Sequence, residues 1–369
     1  MRRIACLMCA FILVLMVSAQ ADTIPFNGME FSTEAEYLNM GDTRILDLPS
    51  FYSFLKQFPN LKKVDMFATP VRKSQIDILT TRFPDIEFGW TIQFAEHQVR
   101  TDVTAYSTLH YSNAQKHGNA DIGLLRYCKK LKALDFGHNS VTDLSFLYDL
   151  PDLRVLIIAC NQVEDITPIG SLKHLEYLEL FTNNIRDISP LKGLNNLMDL
   201  NISYNYIQDI TPILTLKNLK RLWTSKSINR GMNVSLSYAQ INQIREAIPG
   251  VQINNLSNPT GGTWREHPHF DVIHRMFRAG SYEPFEDSFQ VDEETTVLRV
   301  SIENEDGTGE TADKQGETAG MDSAESGTGQ MLGQGGHSGQ ESVPSSGDTA
   351  EDPCSLPPQQ PAMVIPYIP

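Results

Sequence analysis

Apolar residues recur along the chain with two different periods, and the alternation between them marks out its architecture. From residue 131 to residue 218 four segments align without a gap: LKALDFGHNSVTDLSFLYDLPD, LRVLIIACNQVEDITPIGSLKH, LEYLELFTNNIRDISPLKGLNN and LMDLNISYNYIQDITPILTLKN. They begin at Leu131, Leu153, Leu175 and Leu197, a spacing of 22 residues, and a degenerate fifth start follows at Leu219. Each opens on a triplet such as Leu131, Leu134 and Phe136, spaced as in a short strand with one buried face. One asparagine follows in every unit, at Asn139, Asn161, Asn183 and Asn205. A chain that bends there leaves buried backbone groups without sheet partners, and an inward amide both donates and accepts. A second apolar pair comes next, Val141 and Leu144 in the first unit, Val163 and Ile166 in the second. Pro168, Pro190 and Pro212 then open the return, which is too short for a full α-helix and predicts 3-10 turns. One unit cannot bury its apolar edge alone; stacking units at ~4.7–4.9 Å per strand does so.

On either side the period is helical. Phe51, Phe54, Leu55 and Phe58, and again Ile76, Leu79 and Phe83, fall on single helix faces. Short strand candidates, Leu38–Met40, Lys63–Met66 and Glu87–Trp90, separate them. QIDILTTRFPDIEF from Gln75 aligns with QINQIREAIPGVQI from Gln240, so helix-bearing repeats flank a thin-turn middle and help close its ends. Residues 103–130 read as a degenerate repeat.

The 22-residue units, with Asn-x-Ile/Val-x-Asp-Ile-x-Pro-Leu near their centres, resemble bacterial internalin-type leucine-rich repeats, specifically over residues 131–218 and more loosely over 38–130 and 219–253. Together with its flanking segments the chain is also similar to exported leucine-rich-repeat proteins of gut Firmicutes. The resemblance implies an α/β fold, a right-handed solenoid with a parallel sheet on its concave face, and protein binding by that face. Two family features are absent from this sequence: an LPxTG sorting signal with an apolar, basic-ended tail, and an immunoglobulin-like module after the repeats.

Five spans follow from these patterns. Residues 1–21 read as a signal peptide: Arg2 and Arg3 precede an apolar run over 4–17, and Ala19 and Ala21 supply small residues for cleavage. That run is shorter than the ~18–20 residues a membrane span needs. Residues 22–130 form an N-terminal cap with irregular repeats, 131–253 the regular repeats and a terminal helical one, and 254–302 a C-terminal cap segment. Within the last, Phe270, Ile273, His274 and Phe277 make one helical face, and 296–302 is a strand candidate. Residues 303–369 carry twelve acids and one base, and a composition that cannot offset chain entropy by burial predicts disorder. The formal charge of −15 is concentrated there, and no basic stripe points to nucleic acid. Once Cys6 and Cys9 leave with the signal, Cys128, Cys160 and Cys354 remain, without the paired spacing of a disulfide framework or a zinc knuckle.

In a strand of LxxLxL form the residues flanking the second leucine face outward. These and the loops behind them place Ile157, Tyr177, Glu179, Phe181, Asp199, Tyr204, Arg221 and Trp223 on the concave face. Aromatics with arginine in a polar surround are the composition of binding hot spots. They are the candidate partner site, exposed on this reading, and Tyr177→Ala or Trp223→Ala is then expected to remove binding with little loss of stability. A protein is the expected ligand and a glycan the second choice, for a secreted, non-enzymatic module with no cofactor. Two alternatives are a structural envelope protein and a metal-dependent enzyme. For the enzyme, Glu266, His267, His269, Asp271 and His274 are close in sequence, but their spacing matches no HExxH-type site and Pro268 interrupts a common helix. His138 and Cys160 share a register in adjacent repeats, a Cys–His pair without an evident orienting carboxylate. Sequons at Asn201, Asn233 and Asn255 matter only in a glycosylating host.

Overall fold

A computed structural model of the chain describes residues 22–94, 97–110, 116–225, 236–255 and 264–285, with two short strands beyond them. The expected signal segment, and the tail apart from those strands, lie outside the described residues. Two compact units divide the chain, Met1–Thr101 and Asp102–Pro369.

The first unit begins with a hairpin of β1 (Thr23–Phe26) and β2 (Met29–Ser32). Asn27 and Gly28 turn it with φ of 49° and 81°, the left-handed pair that a two-residue hairpin turn requires. Hydrophobic periodicity does not reveal this hairpin; the Asn-Gly dipeptide is its signal. It brings Phe26 within 4.4 Å of Phe54, ring centre to ring centre. Phe54 lies on α1 (Leu48–Leu55), which Asp47 caps by accepting the Ser50 N–H. Strands β3 (Tyr37–Asn39), β4 (Lys63–Val71) and β5 (Glu87–Phe94) are parallel, with α2 (Lys73–Arg82) between the last two. The fourth strand, β6 (His97–Arg100), is antiparallel to β5, which departs from an all-parallel expectation. A two-residue link can only return the chain antiparallel.

The second unit is the solenoid. β7 (Ala105–Ser107) belongs to the degenerate repeat, with α3 (Asn119–Ile122) behind it. The regular repeats contribute β8 (Ala133–Asp135), β9 (Val155–Ile157), β10 (Tyr177–Glu179), β11 (Asp199–Asn201) and β12 (Arg221–Trp223). After α4 (Tyr238–Ala247) the terminal repeat adds β13 (Gln252–Asn254). All seven strands form one parallel sheet in sequence order. Its register aligns Leu134, Leu156, Leu178, Leu200 and Leu222 in one fully buried row. Each regular repeat returns through a 3-10 turn, such as Thr167–Ser171 and Thr211–Thr215, as the positions of the prolines predict. Gln75 and Gln240, equivalent in the two helix-bearing repeats, both accept the backbone N–H three residues earlier, the reciprocal half of a capping box.

The asparagines work as a ladder between repeats. Asn161 Nδ2 donates to the carbonyls of Ile158 (3.1 Å) and, one repeat earlier, Phe136 (3.0 Å), while its Oδ1 accepts the Val141 N–H at 2.9 Å. Asn183 and Asn205 repeat this pattern on their own neighbours. Just before each asparagine stands a non-glycine residue in the left-handed region: His138, Cys160, Thr182 and Tyr204, with φ between 54° and 58°. Each donates its N–H to the next repeat, Thr182 to the Ser203 carbonyl at 3.0 Å, so sheet-like bonding continues through the bend. The aspartate that recurs in each regular repeat also has a task that the apolar periodicity does not expose. Asp143, Asp165, Asp187 and Asp209 each accept the N–H and the hydroxyl of the Ser or Thr two residues on, capping the 3-10 turns. Those hydroxyl and N–H donors hold Asp165 and Asp209 below the usual carboxylate range.

Beyond the sheet lie α5 (Pro268–Ala279) and the paired strands β14 (Ile302–Glu303) and β15 (Gly309–Glu310). The remaining expectations for 286–369, disorder and a strand over 296–302, fall outside the described residues except at Ile302–Glu303.

Candidate functional site

The sheet register builds the concave face as two columns. One runs Ala105, Ala133, Val155, Tyr177, Asp199, Arg221; the other Ser107, Asp135, Ile157, Glu179, Asn201, Trp223. Small residues occupy the first strands, and large or charged ones the last. This gradient has a structural counterpart, because residues 264–285 of the same chain lie across the face. Val272, Ile273, Met276 and Phe277 of α5 pack with Ala105, Ala133, Val155 and Ile157, where the small side chains leave room for a helix. Trp264 sits farther along, its ring centre 5.3 Å from Tyr177 and 5.1 Å from Trp223. Gly280, with φ of 64°, ends α5, and its carbonyl accepts from the N–H of Ala105 at 3.3 Å. Trp264 is fully buried, and so is Met276.

Polar contacts fix the cover in register. Arg221 Nε donates to Asp199 Oδ1 at 2.6 Å, and its Nη1 to the Trp264 carbonyl at 3.2 Å. The guanidinium carbon lies 4.5 Å from the centre of the Trp264 ring. His269 Nδ1 is 2.5 Å from the other oxygen of Asp199. Burial works against ionisation of Asp199, but Arg221 and His269 outweigh it and lower its pKa. Glu179 accepts from the Trp264 indole at 2.8 Å, from Arg265 Nη2 at 3.2 Å and from the Tyr177 hydroxyl. His267 caps α5, its Nδ1 accepting the His269 N–H at 3.2 Å. Burial, with Arg221 and His269 nearby, pushes its pKa down to about 4, which keeps the imidazole neutral and able to accept. Asp135, deeply buried, is pushed up to about 6 by desolvation, against the hydrogen bonds from Gly137 N–H and Ser107 Oγ.

These contacts correct several expectations. The eight candidate residues are brought to one side of the sheet, but they are not exposed. Ile157, Tyr177, Glu179, Phe181, Asp199, Tyr204, Arg221 and Trp223 are all buried, none above 9% accessible. Tyr177→Ala and Trp223→Ala therefore remove packed core, at a cost of about 3–5 kcal/mol, and cannot leave stability unchanged. His274 is exposed on the outer side of α5, against the Phe270 ring, and is not part of the buried face; Val272 and Met276 take that place. Cys160 is disulfide-bonded, so it is no nucleophile, and the cysteine usage includes a disulfide that spacing does not reveal. Cys128 is a buried thiol, whose pKa burial pushes up. Among the described residues no three His, Cys, Asp or Glu side chains converge as a metal site. Nor is any helix among them long and apolar enough to cross a membrane.

Strand, asparagine bend and 3-10 return, stacked in register every 22 residues, define a leucine-rich-repeat solenoid. A family model for paired leucine-rich repeats matches residues 129–171 and 151–193. Solved structures with similarity include an internalin of Listeria monocytogenes, at 20% identity over 62% of this chain and 72% of that one, with a TM-score of 0.37. Internalin C2 of the same organism shares 23% identity over 46% of this chain and 83% of its own (TM-score 0.31). A leucine-rich-repeat protein of Leptospira interrogans shares 20% identity over 55% and 45% (TM-score 0.31). No curated protein matches the chain.

Proposed function

We propose that the protein is an exported, non-enzymatic recognition module that binds a protein partner through the concave face when residues 264–285 move off it. The observation that carries this reading is the cover itself. The face already holds an amphipathic helix and a tryptophan, using aromatic and arginine contacts of the kind found at binding hot spots. A surface serving only as core has no need of Glu179, Asp199 and Arg221, whose desolvation is costly. Arg221 Nη2 is buried without a hydrogen-bond partner among the described residues, so the cover satisfies the face incompletely. A partner that presents an amphipathic helix with an indole at its start competes for the same contacts.

Two charges placed in the seam, Ile273→Asp with Met276→Asp, test this in the full-length chain. The variant is expected to keep the solenoid folded, by its melting transition, and to bind a fluorescent peptide of residues 264–285 added in trans. Tyr177→Ala in the same background is expected to abolish that binding. Collapse of the whole solenoid in the double variant, or a folded variant that ignores the peptide, makes the cover ordinary core and ends the proposal. N-terminal sequencing of protein released by the native cell tests export, with a start near Asp22 expected.

A further inference from the structure

Arg221 is only 1% exposed, yet part of its guanidinium is left unused. Nε donates to Asp199 Oδ1 and Nη1 to the Trp264 carbonyl, while Nη2 is buried with no hydrogen-bond partner among the described residues. Asp199 does not close the second bond of a bidentate pair, because its other oxygen faces His269 Nδ1 at 2.5 Å. Gln252, the sheet neighbour of Arg221 on β13, does not bond Nη2 either. A guanidinium taken out of water with one nitrogen unpaired weakens the docking of whatever covers it.

The start of α5 lies over this part of the face. His267 is its N-cap and accepts the His269 N–H through Nδ1, and the two rings stand edge to face, 4.4 Å apart. Histidine is not among the residues that favour this position. Aspartate is, because a short carboxylate accepts from the first-turn N–H groups and meets the positive end of the helix. The surroundings of His267 favour an anion as well. Burial lowers its pKa, and the positive charges of Arg221 and His269 add to this against the opposite pull of Asp199. Glu266, one residue earlier, is exposed and leaves Nη2 unpaired. The cover therefore presents a neutral imidazole where cap geometry, the helix field and a buried unpaired donor all call for a carboxylate.

We infer that the competing partner is a helix that opens Trp-x-x-Asp, an inference that rests on displacement of the cover by a partner. Its indole takes the place of Trp264. Its carboxylate takes the place of His267, caps the helix and pairs with Arg221 Nη2. The cover is then an incomplete copy of its competitor, deficient at His267. Such a deficit has a physical use. A segment tethered to the face it covers acts at a high effective concentration, and a partner arriving from solution displaces it only by making a contact that it lacks.

Fluorescence anisotropy of the full-length Ile273→Asp, Met276→Asp protein with three labelled peptides of residues 264–285 tests this. The peptides carry the parent sequence, His267→Asn or His267→Asp. Asparagine caps a helix as well as aspartate does but brings no charge, so the last two differ only in the anion. The His267→Asp peptide is expected to bind about five- to tenfold tighter than the His267→Asn peptide, the low end for a hydrogen bond to a charged group because Asp199 stands nearby. With Arg221→Gln added to the protein, that ratio is expected to fall to about one. In the otherwise unaltered chain, amide exchange over α5 is expected to be slower in His267→Asp than in His267→Asn, which keeps the test decisive if Arg221→Gln does not fold. Equal affinities for the two peptides overturn the inference. So does a ratio that survives Arg221→Gln, which assigns the gain to the helix field alone, and so does equal exchange in the two chain variants. If the parent peptide binds and only these comparisons fail, recognition by the concave face stands without the acidic motif; if no peptide binds, both fall.

Discussion

Phe181-Thr182-Asn183-Asn184-Ile185 places two asparagines side by side, and the structure gives them opposite weights. Asn183 is buried, donates to the carbonyls of Ile158 and Leu180 at 3.0 Å each, and accepts the Val163 N–H at 3.0 Å. Asn184 is half-buried, and only its backbone joins the ladder, donating to the Val163 carbonyl. Asn183→Ala does not orphan the two carbonyls, because Asn161 also donates to Ile158 and Asn205 also donates to Leu180. It does orphan the Val163 N–H inside the bend. One buried unpaired N–H costs about 1–3 kcal/mol, and two lost donor bonds add about 1 kcal/mol each. The expected loss is therefore about 3–5 kcal/mol, a fall in melting temperature of about 6–20 °C for a unit of this size. Asn184→Ala is expected to change stability by less than about 0.5 kcal/mol. Urea unfolding followed by tryptophan fluorescence measures both, since Trp223 and Trp264 lie in this unit. Equal effects at the two positions, or a cost below about 1 kcal/mol at Asn183, refute the claim that the amide ladder seals the bend.

Three other perturbations bear on the same architecture. Asp135 has its folded pKa raised to about 6, so its protonated form is favoured by folding, and stability falls as pH climbs from about 4 through 6. Asp135→Asn, which keeps an acceptor for Gly137 and offers a donor to Ser107, is expected to gain up to about 3 kcal/mol over the parent at pH 7 relative to pH 4; parallel melting curves contradict it. Thr182 is β-branched in the left-handed region, and its buried hydroxyl has no partner among the described residues. Equivalent positions hold His138, Cys160 and Tyr204, so there is room, and Thr182→Asn is expected to stabilise by about 0.5–1 kcal/mol, read as an upward shift of the urea midpoint. At Gly170 an added Cβ falls 2.9 Å from the Pro190 carbonyl oxygen of the next repeat. Gly170→Ala is expected to cost about 1–3 kcal/mol in the same assay, and a neutral result shows that the repeats are looser there than the backbone spacing implies.

What sequence alone determined is the part of the molecule built from neighbours. Leu134, Leu156, Leu178 and Leu200, the asparagine after each strand and the proline in three of the four returns recur at one interval. Each therefore packs on its own image one repeat away, and a local pattern read four times defines a stack. Pattern also showed which residues face away from the solenoid core, since alternation along a strand is geometric. It did not show the tasks of Asp143 and its equivalents, because a short side-chain cap leaves no mark on periodicity. Whether the outward face meets water was beyond it altogether. Val272, Ile273, Met276 and Phe277 announce an amphipathic helix, but nothing in their spacing names the surface that receives them. That was decided by contacts such as Trp264 to Glu179 and His269 to Asp199, between residues 85 and 70 positions apart. Only the folded chain brings such pairs together, and there burial and charge pairing select one docking register among the many that an apolar stripe allows.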